Sequence, residues 1–183
     1  SYCKNRYSRK EEWICTHLTW VSHVSGKRES RRVVGDYILR EQDLTRPIVH
    51  EDATCTTTWR IDQHYPDPRN ADKYPGEEWM SIGVLTPIDF YPLPYRCFYS
   101  KDIPNLFMAG RNISVSHIAL GSTRVMRTCG LIGEVVGMAA SICTKKKANP
   151  RDVYTTYFED LKALMRKGTG RTDVPYTQFY HQV

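Results

Sequence analysis

The stretch from residue 105 to residue 143 constrains the fold more than any other part of the chain. Asn105-Leu106-Phe107-Met108-Ala109 is a short continuous apolar run, the pattern of a strand buried on both faces. Gly110 ends it. A polar loop with Asn112, Ser114, Ser116 and His117 follows, and residues 122–143 then read as a helix of roughly 20 residues. Within that helix Gly130, Gly133, Gly137 and Ala140 recur at three- and four-residue steps and so share one face. Each glycine costs about 1 kcal/mol of helix propensity relative to alanine, so a stripe of them predicts a backbone lying close on a neighbouring sheet. Glu134 inside the stripe argues against a membrane-dimer motif. Strand, glycine, loop and helix in this order place the chain in the α/β class.

The remainder is strand-rich at first and helical at the end. In residues 1–25, Trp13, Leu18 and Val21 suit part of a helix face, while the residues after Thr16 equally suit a strand. Residues 32–40 are β-branched and aromatic and predict a strand closed by Glu41-Gln42-Asp43, and residues 48–61 look extended. Residues 65–76 carry Pro66, Pro68 and Pro75 and predict a loop. Prolines at 87, 92 and 94 exclude a helix over residues 82–98 and leave short strands and turns. Asn149-Pro150 is an N-cap followed by proline at the first helical position, and Val153, Tyr157, Leu161 and Leu164 continue a helix that Gly168 and Gly170 stop. These patterns divide the chain into residues 1–98, β-rich with an N-terminal helix, residues 99–147, and a terminal helix and tail over residues 148–183.

Charge and cysteine usage narrow the partners. The net charge is +6, but no basic stripe interleaved with stacking aromatics is present, so a nucleic-acid partner is not expected. The longest apolar run, residues 131–143, is too short for a bilayer and is interrupted by Glu134. The six cysteines form no C-x-x-C pair and no zinc-ligand spacing, so free, mostly buried thiols and no metal are expected. No signal peptide is visible at Ser1, and the chain lacks an initiator Met, which leaves cytoplasm and periplasm both open.

A strand ending in glycine and leading to a helix N-terminus offers free N–H groups and the positive end of the helix dipole to an anion or a polar ring edge. Ligands of open α/β sheets bind at the carboxyl ends of strands. Ala109, Gly110, Arg111, Asn112, Ser122, Thr123 and Arg124 therefore form the candidate binding site.

Residues 105–140, from Asn105-Leu106-Phe107-Met108-Ala109-Gly110 through the glycine-bearing helix, resemble the C-terminal flavin-binding segment of FAD-dependent oxidoreductases of the glutathione-reductase-like flavoprotein superfamily, and more narrowly the bacterial members of that name. Residues 26–39, Trp59-Arg60-Ile61-Asp62-Gln63-His64 and Leu93-Pro94-Tyr95-Arg96-Cys97 agree with them. The resemblance implies FAD as cofactor, the last strand and helix of a Rossmann-like domain, and a β-rich substrate domain. It implies hydride transfer between flavin and a small organic substrate, with Gly110, Arg111 and Asn112, and Thr123, Arg124, Val125 and Met126, facing the cofactor and Tyr95 and Arg96 lining the substrate pocket. A complete protein of that kind carries a G-x-G-x-x-G turn, which is not among the eleven glycines. The chain is thus expected to be a C-terminal portion whose partner is the N-terminal remainder of the same flavoprotein; homo-oligomerisation stays open. The alternative is a non-catalytic module that binds that remainder or another chain. Arg111-Asn112 stands where many relatives place an acidic residue, which leaves the partner of Gly110 unassigned.

Individual residues carry two readings each. His117 is an acid/base or substrate anchor, or fixes its loop by a hydrogen bond to backbone. Asp62 and His64, two apart, form a carboxylate–imidazole pair on one strand face, or anchor the loop before Pro66. Arg28 and Arg31, with Arg32 and Glu29, clamp an anionic substrate or pack a domain through salt bridges. Tyr95 either lines the pocket or packs. A dithiol relay through Cys97 and Cys129 is not expected, and Lys145, Lys146 and Lys147 form a solvated helix end.

Overall fold

The prolines of the middle region and the long apolar stripe of residues 131–142 organise the fold from opposite sides. In the computed structural model the described residues are Glu29, residues 31–73, Pro75, Gly76 and residues 81–169. The chain divides into two compact units after Ser30, and apart from Glu29 every described residue belongs to the second. The helix expected within residues 1–25, and Arg28, lie outside the described residues.

The second unit is mixed α/β. Helix α1 (Glu41–Thr45) precedes strands β1 (Ala53–Thr57) and β2 (Ile61–Pro66), a short helix α2 (Asn70–Lys73), and strands β3 (Ser81–Thr86) and β4 (Tyr91–Pro94). A 3-10 turn, Tyr95–Cys97, follows β4, and the chain closes with α3 (His117–Thr123), α4 (Met126–Lys146), α5 (Pro150–Thr155) and α6 (Phe158–Lys167). The strands make two antiparallel pairs, β1 with β4 and β2 with β3. Pro92 and Pro94 are tolerated in β4 because a two-stranded sheet leaves one edge of each strand without a ladder. Between Ala53 and Thr56 the register slips, and the Thr54 hydroxyl donates to the Leu93 carbonyl at 2.7 Å in that gap.

The core lies between β1, β4 and the helices. Leu131, Ile132, Val135, Ala139 and Ile142 of α4 are buried with Tyr91, Leu93, Tyr95, Phe98, Val153 and Leu161. Burying each large apolar side chain stabilises by about 1.5–3 kcal/mol. By length and composition α4 is long enough to cross a membrane, longer than the apolar run in the sequence implied. This apolar stripe, not the glycine stripe, faces the sheet. A Cβ added at Gly130, Gly133 or Gly137 would meet nothing within 4 Å among the described residues. The expected close glycine contact with a sheet is therefore absent among the described residues, none of which covers the glycine face.

Other expectations are corrected in their details. Residues 105–109 are not a two-sided strand: across to the neighbouring segment Leu106 accepts from Ser100 and Met108 donates to Phe98, Leu106 N turns back to the Ile103 carbonyl, one bridge joins Tyr99 and Phe107, and Ala109 is exposed. A central strand needs a ladder on each edge, and this segment has one neighbour. The strand expected over residues 32–40 does not form: the chain bends at Asp36–Tyr37 and makes one parallel bridge from Leu39 to Val115, and the charged segment after it is the helix α1. In the expected loop of residues 65–76, β2 continues to Pro66 and α2 forms. The expected polar loop around His117 is α3, capped by Ser116, and the long helix begins at Met126 instead of Ser122 because Val125 is extended (φ −74°, ψ 148°). The last helix starts at Pro150 behind an Asn149 capping box as anticipated, but breaks after Thr155 before α6 continues to Gly168. Two successive threonines are weak helix formers.

Candidate functional site

Alternation along β2 puts Asp62 and His64 on one face, and their side chains meet: Nε2 of His64 lies 2.8 Å from Oδ1 of Asp62. The imidazole is 45% exposed. With Nε2 held, the other ring nitrogen, Nδ1, lies on the side of Gly83, where an added Cβ would stand 3.8 Å from it and glycine supplies none. Asp62 and His64 thus form a carboxylate–imidazole pair on one strand face, with the imidazole half-exposed.

The dyad is joined to the turn between α3 and α4. Arg124, the C-cap of α3, donates from Nη2 to the Asp62 carbonyl oxygen at 2.8 Å and lies 3.8 Å from Asp62 Oδ2. The Gln63 amide nitrogen donates to the Ile118 carbonyl at 3.1 Å. Arg124 was expected at the ligand; its guanidinium is turned to β2 instead. Gly121, which the sequence reading passed over, lets α3 lie directly on β2: a Cβ there would stand 2.8 Å from the Asp62 oxygen and 2.9 Å from its nitrogen. Its place among Leu120, Gly121 and Ser122 was the only sequence trace of that approach.

The turn itself is tied to β1 by hydroxyls. Thr57 donates to the Ser122 carbonyl at 3.0 Å and lies 3.2 Å from the Ser122 hydroxyl and 3.4 Å from that of Thr128, while Ser122 donates to the Trp59 carbonyl at 2.7 Å. Ser122 is thereby engaged in structure. Thr123 is 1% exposed, and its hydroxyl has no hydrogen-bond partner among the described residues. Beyond it α4 opens with Val125 as N-cap, no side-chain cap and no acidic residue in the first turn, and Met126 is 91% exposed. The first N–H groups of a helix lack intrahelical partners and carry the positive end of its dipole.

Gly110 holds φ +112°, a conformation that favours glycine, and an added Cβ would meet nothing within 4 Å. Arg111 and Asn112 are exposed, and the Asn112 carbonyl accepts from Val33 N at 3.1 Å. Burial pushes the Cys129 thiol up, opposed by the positive charge of Arg111, so this loop lies within electrostatic reach of the first turns of α4. His117 is the exposed first residue of α3.

Tyr95 and Arg96, expected to line the substrate pocket, are engaged elsewhere. Tyr95 is buried and donates to the Pro150 carbonyl at 2.9 Å. Arg96 binds the fully buried Asp52 through Nε and Nη2, both at 3.0 Å, between the rings of Tyr37 and Tyr154. Both residues frame the core, because their polar groups are consumed by internal partners. Arg31 is exposed. Cys55 and Cys97 are buried free thiols; Cys129 and Cys143 are half-buried and also free.

A family model described as FAD dependent oxidoreductase matches residues 5–165. Neither the curated proteins nor the solved structures contain a match to the chain.

Proposed function

Because this chain belongs to the FAD dependent oxidoreductase family, we propose that it forms the flavin-facing C-terminal portion of an enzyme that transfers a hydride between FAD and a small organic substrate. The residues at the α3–α4 turn fit the cofactor: an uncapped helix N-terminus, the orphaned hydroxyl of Thr123, and the open backbone at Gly110 offer donors to a polar ring edge or phosphate. Gly110, Arg111, Asn112, Thr123, Val125 and Met126 would hold it. When bound, FAD supplies the two-electron chemistry, which the protein's own side chains cannot perform.

The observation that carries this reading is the His64–Asp62 pair joined through Arg124 to that turn. Asp62 holds Nε2 of His64, which leaves Nδ1 as the atom that takes a proton from the substrate or returns it. Arg124 keeps the pair beside the turn, and His117 at the start of α3 is a second proton carrier or substrate anchor. Measuring anaerobic flavin bleaching by a panel of small hydroxy and amino compounds tests the reading. His64→Gln should slow substrate-dependent bleaching by roughly 100-fold or more while FAD stays bound. A protein that takes up no FAD would remove the proposal.

The glycine face of α4, which no described residue covers, favours a companion reading: a nucleotide-binding remainder of the protein, of Rossmann-like form, packs there. Replacing Gly133 by Leu should then block association of the chain with that remainder without unfolding the chain, as read by size-exclusion chromatography and far-UV circular dichroism.

A further inference from the structure

We propose that Arg124 is a positioning residue that orients the His64 imidazole, and that Gly121 is the backbone contact that allows it to reach. The catalytic meaning of this rests on the oxidoreductase reading above, whereas the orientation rests on geometry alone. Three contacts bring α3 onto β2 over one short segment. Gly121 leaves no side chain between the helix and the Asp62 peptide, Gln63 bonds the Ile118 carbonyl, and Arg124 bonds the Asp62 carbonyl.

These contacts do different things. Gln63 ties helix to strand but touches neither member of the dyad. Arg124 holds the Asp62 backbone at 2.8 Å and places its positive charge 3.8 Å from the oxygen of the carboxylate that His64 does not use. With the Asp62 backbone held and a positive charge beside one carboxylate oxygen, the other oxygen is favoured in the direction of His64, and the partner of one imidazole nitrogen decides what the other nitrogen does. Arg124 is one-fifth exposed, at 21%, and Asp62 at 20%, so water competes only in part for this contact.

The arrangement also explains the order Gly121 … Arg124. The helix must come within backbone contact for a guanidinium on its C-cap to reach the strand peptide. An alanine at 121 would stand under 3.0 Å from two backbone atoms of Asp62, and backbone cannot yield as a flexible side chain can. Gly121→Ala should therefore push β2 away and loosen the Arg124 contact without altering any polar group.

Long-range proton–nitrogen NMR of the chain carrying nitrogen-15 histidine reads the imidazole directly, with no flavin or substrate needed. In the wild type His64 should show a protonated Nε2 with a slowly exchanging hydrogen. Arg124→Met and Gly121→Ala should each abolish that signature, and Arg124→Lys should restore it in part. Gln63→Ala, which cuts the neighbouring tie only, should leave it intact. An unchanged His64 pattern in Arg124→Met, or equal loss in Gln63→Ala, would overturn the proposal. A chain that shows the predicted His64 response yet takes up no FAD when joined to its nucleotide-binding remainder would remove the oxidoreductase reading and leave the positioning role standing.

Discussion

The two strand pairs of this unit are alike in size and opposite in character. In β1–β4 every β4 residue is buried, and β1 is buried except at Thr56. In β2–β3 only Ile61 is buried, and Leu85 is 48% exposed. The first pair is locked by internal polar contacts: Thr54 on Leu93, Tyr91 on the Ile48 carbonyl, and Asp52 on Arg96. The second carries the dyad and touches the rest mainly through α3. The frame is closed and the hairpin exposed: polar side chains in the frame bond internal partners, while His64 on the hairpin stays half-exposed.

Breaking the frame should have the largest effect. Arg96→Met leaves Asp52 charged and fully buried without its partner, which costs about 3–5 kcal/mol and lowers Tm by roughly 6–20 °C. A thermal melt that moves by less than two or three degrees would mean that this ion pair does not hold the frame.

A smaller effect is expected at the edge of the frame, where Asp36 accepts from Arg151 at 2.7 Å and from Tyr99 at 2.8 Å. The hydrogen bond from Arg151 holds the Asp36 carboxyl below its usual 3.8, with burial opposing. Because the folded pKa is depressed, this contribution is present above about pH 4 and fades as the pH falls through the folded value. The melting difference between wild type and Asp36→Asn should therefore be clear at neutral pH and vanish in acid; a difference independent of pH would assign it to packing.

On the hairpin the outcome should be smallest. Leu85→Thr keeps β propensity and removes exposed apolar area, so stability should stay within about 0.5 kcal/mol. A large loss in a urea titration would show that the hairpin is held by more than α3.

Much of this could be read from residue order. The Asn149-Pro150 start, the exclusion of helix by Pro87, Pro92 and Pro94, and the lysine-rich end of α4 all follow from local stereochemistry and electrostatics. The Asp62–His64 pairing follows from strand alternation alone. Residues 105–109 misled because an apolar run states that a segment wants burial, and says nothing about how many neighbours it finds. The same limit hid the roles of Tyr95 and Arg96, whose partners Pro150 and Asp52 are 55 and 44 positions away.

Local pattern, then, determined the Asn149 cap, the glycine that turns the chain at 110 and the family. Only the tertiary structure decided which stripe of α4 meets the sheet, and that the turn at Arg124 lies against a strand residue 62 positions earlier. Periodicity defines a face, but the identity of what covers it is a property of chain segments brought together from afar. Gly121 meets Asp62 only because the packing of α3 on β2 closes that distance.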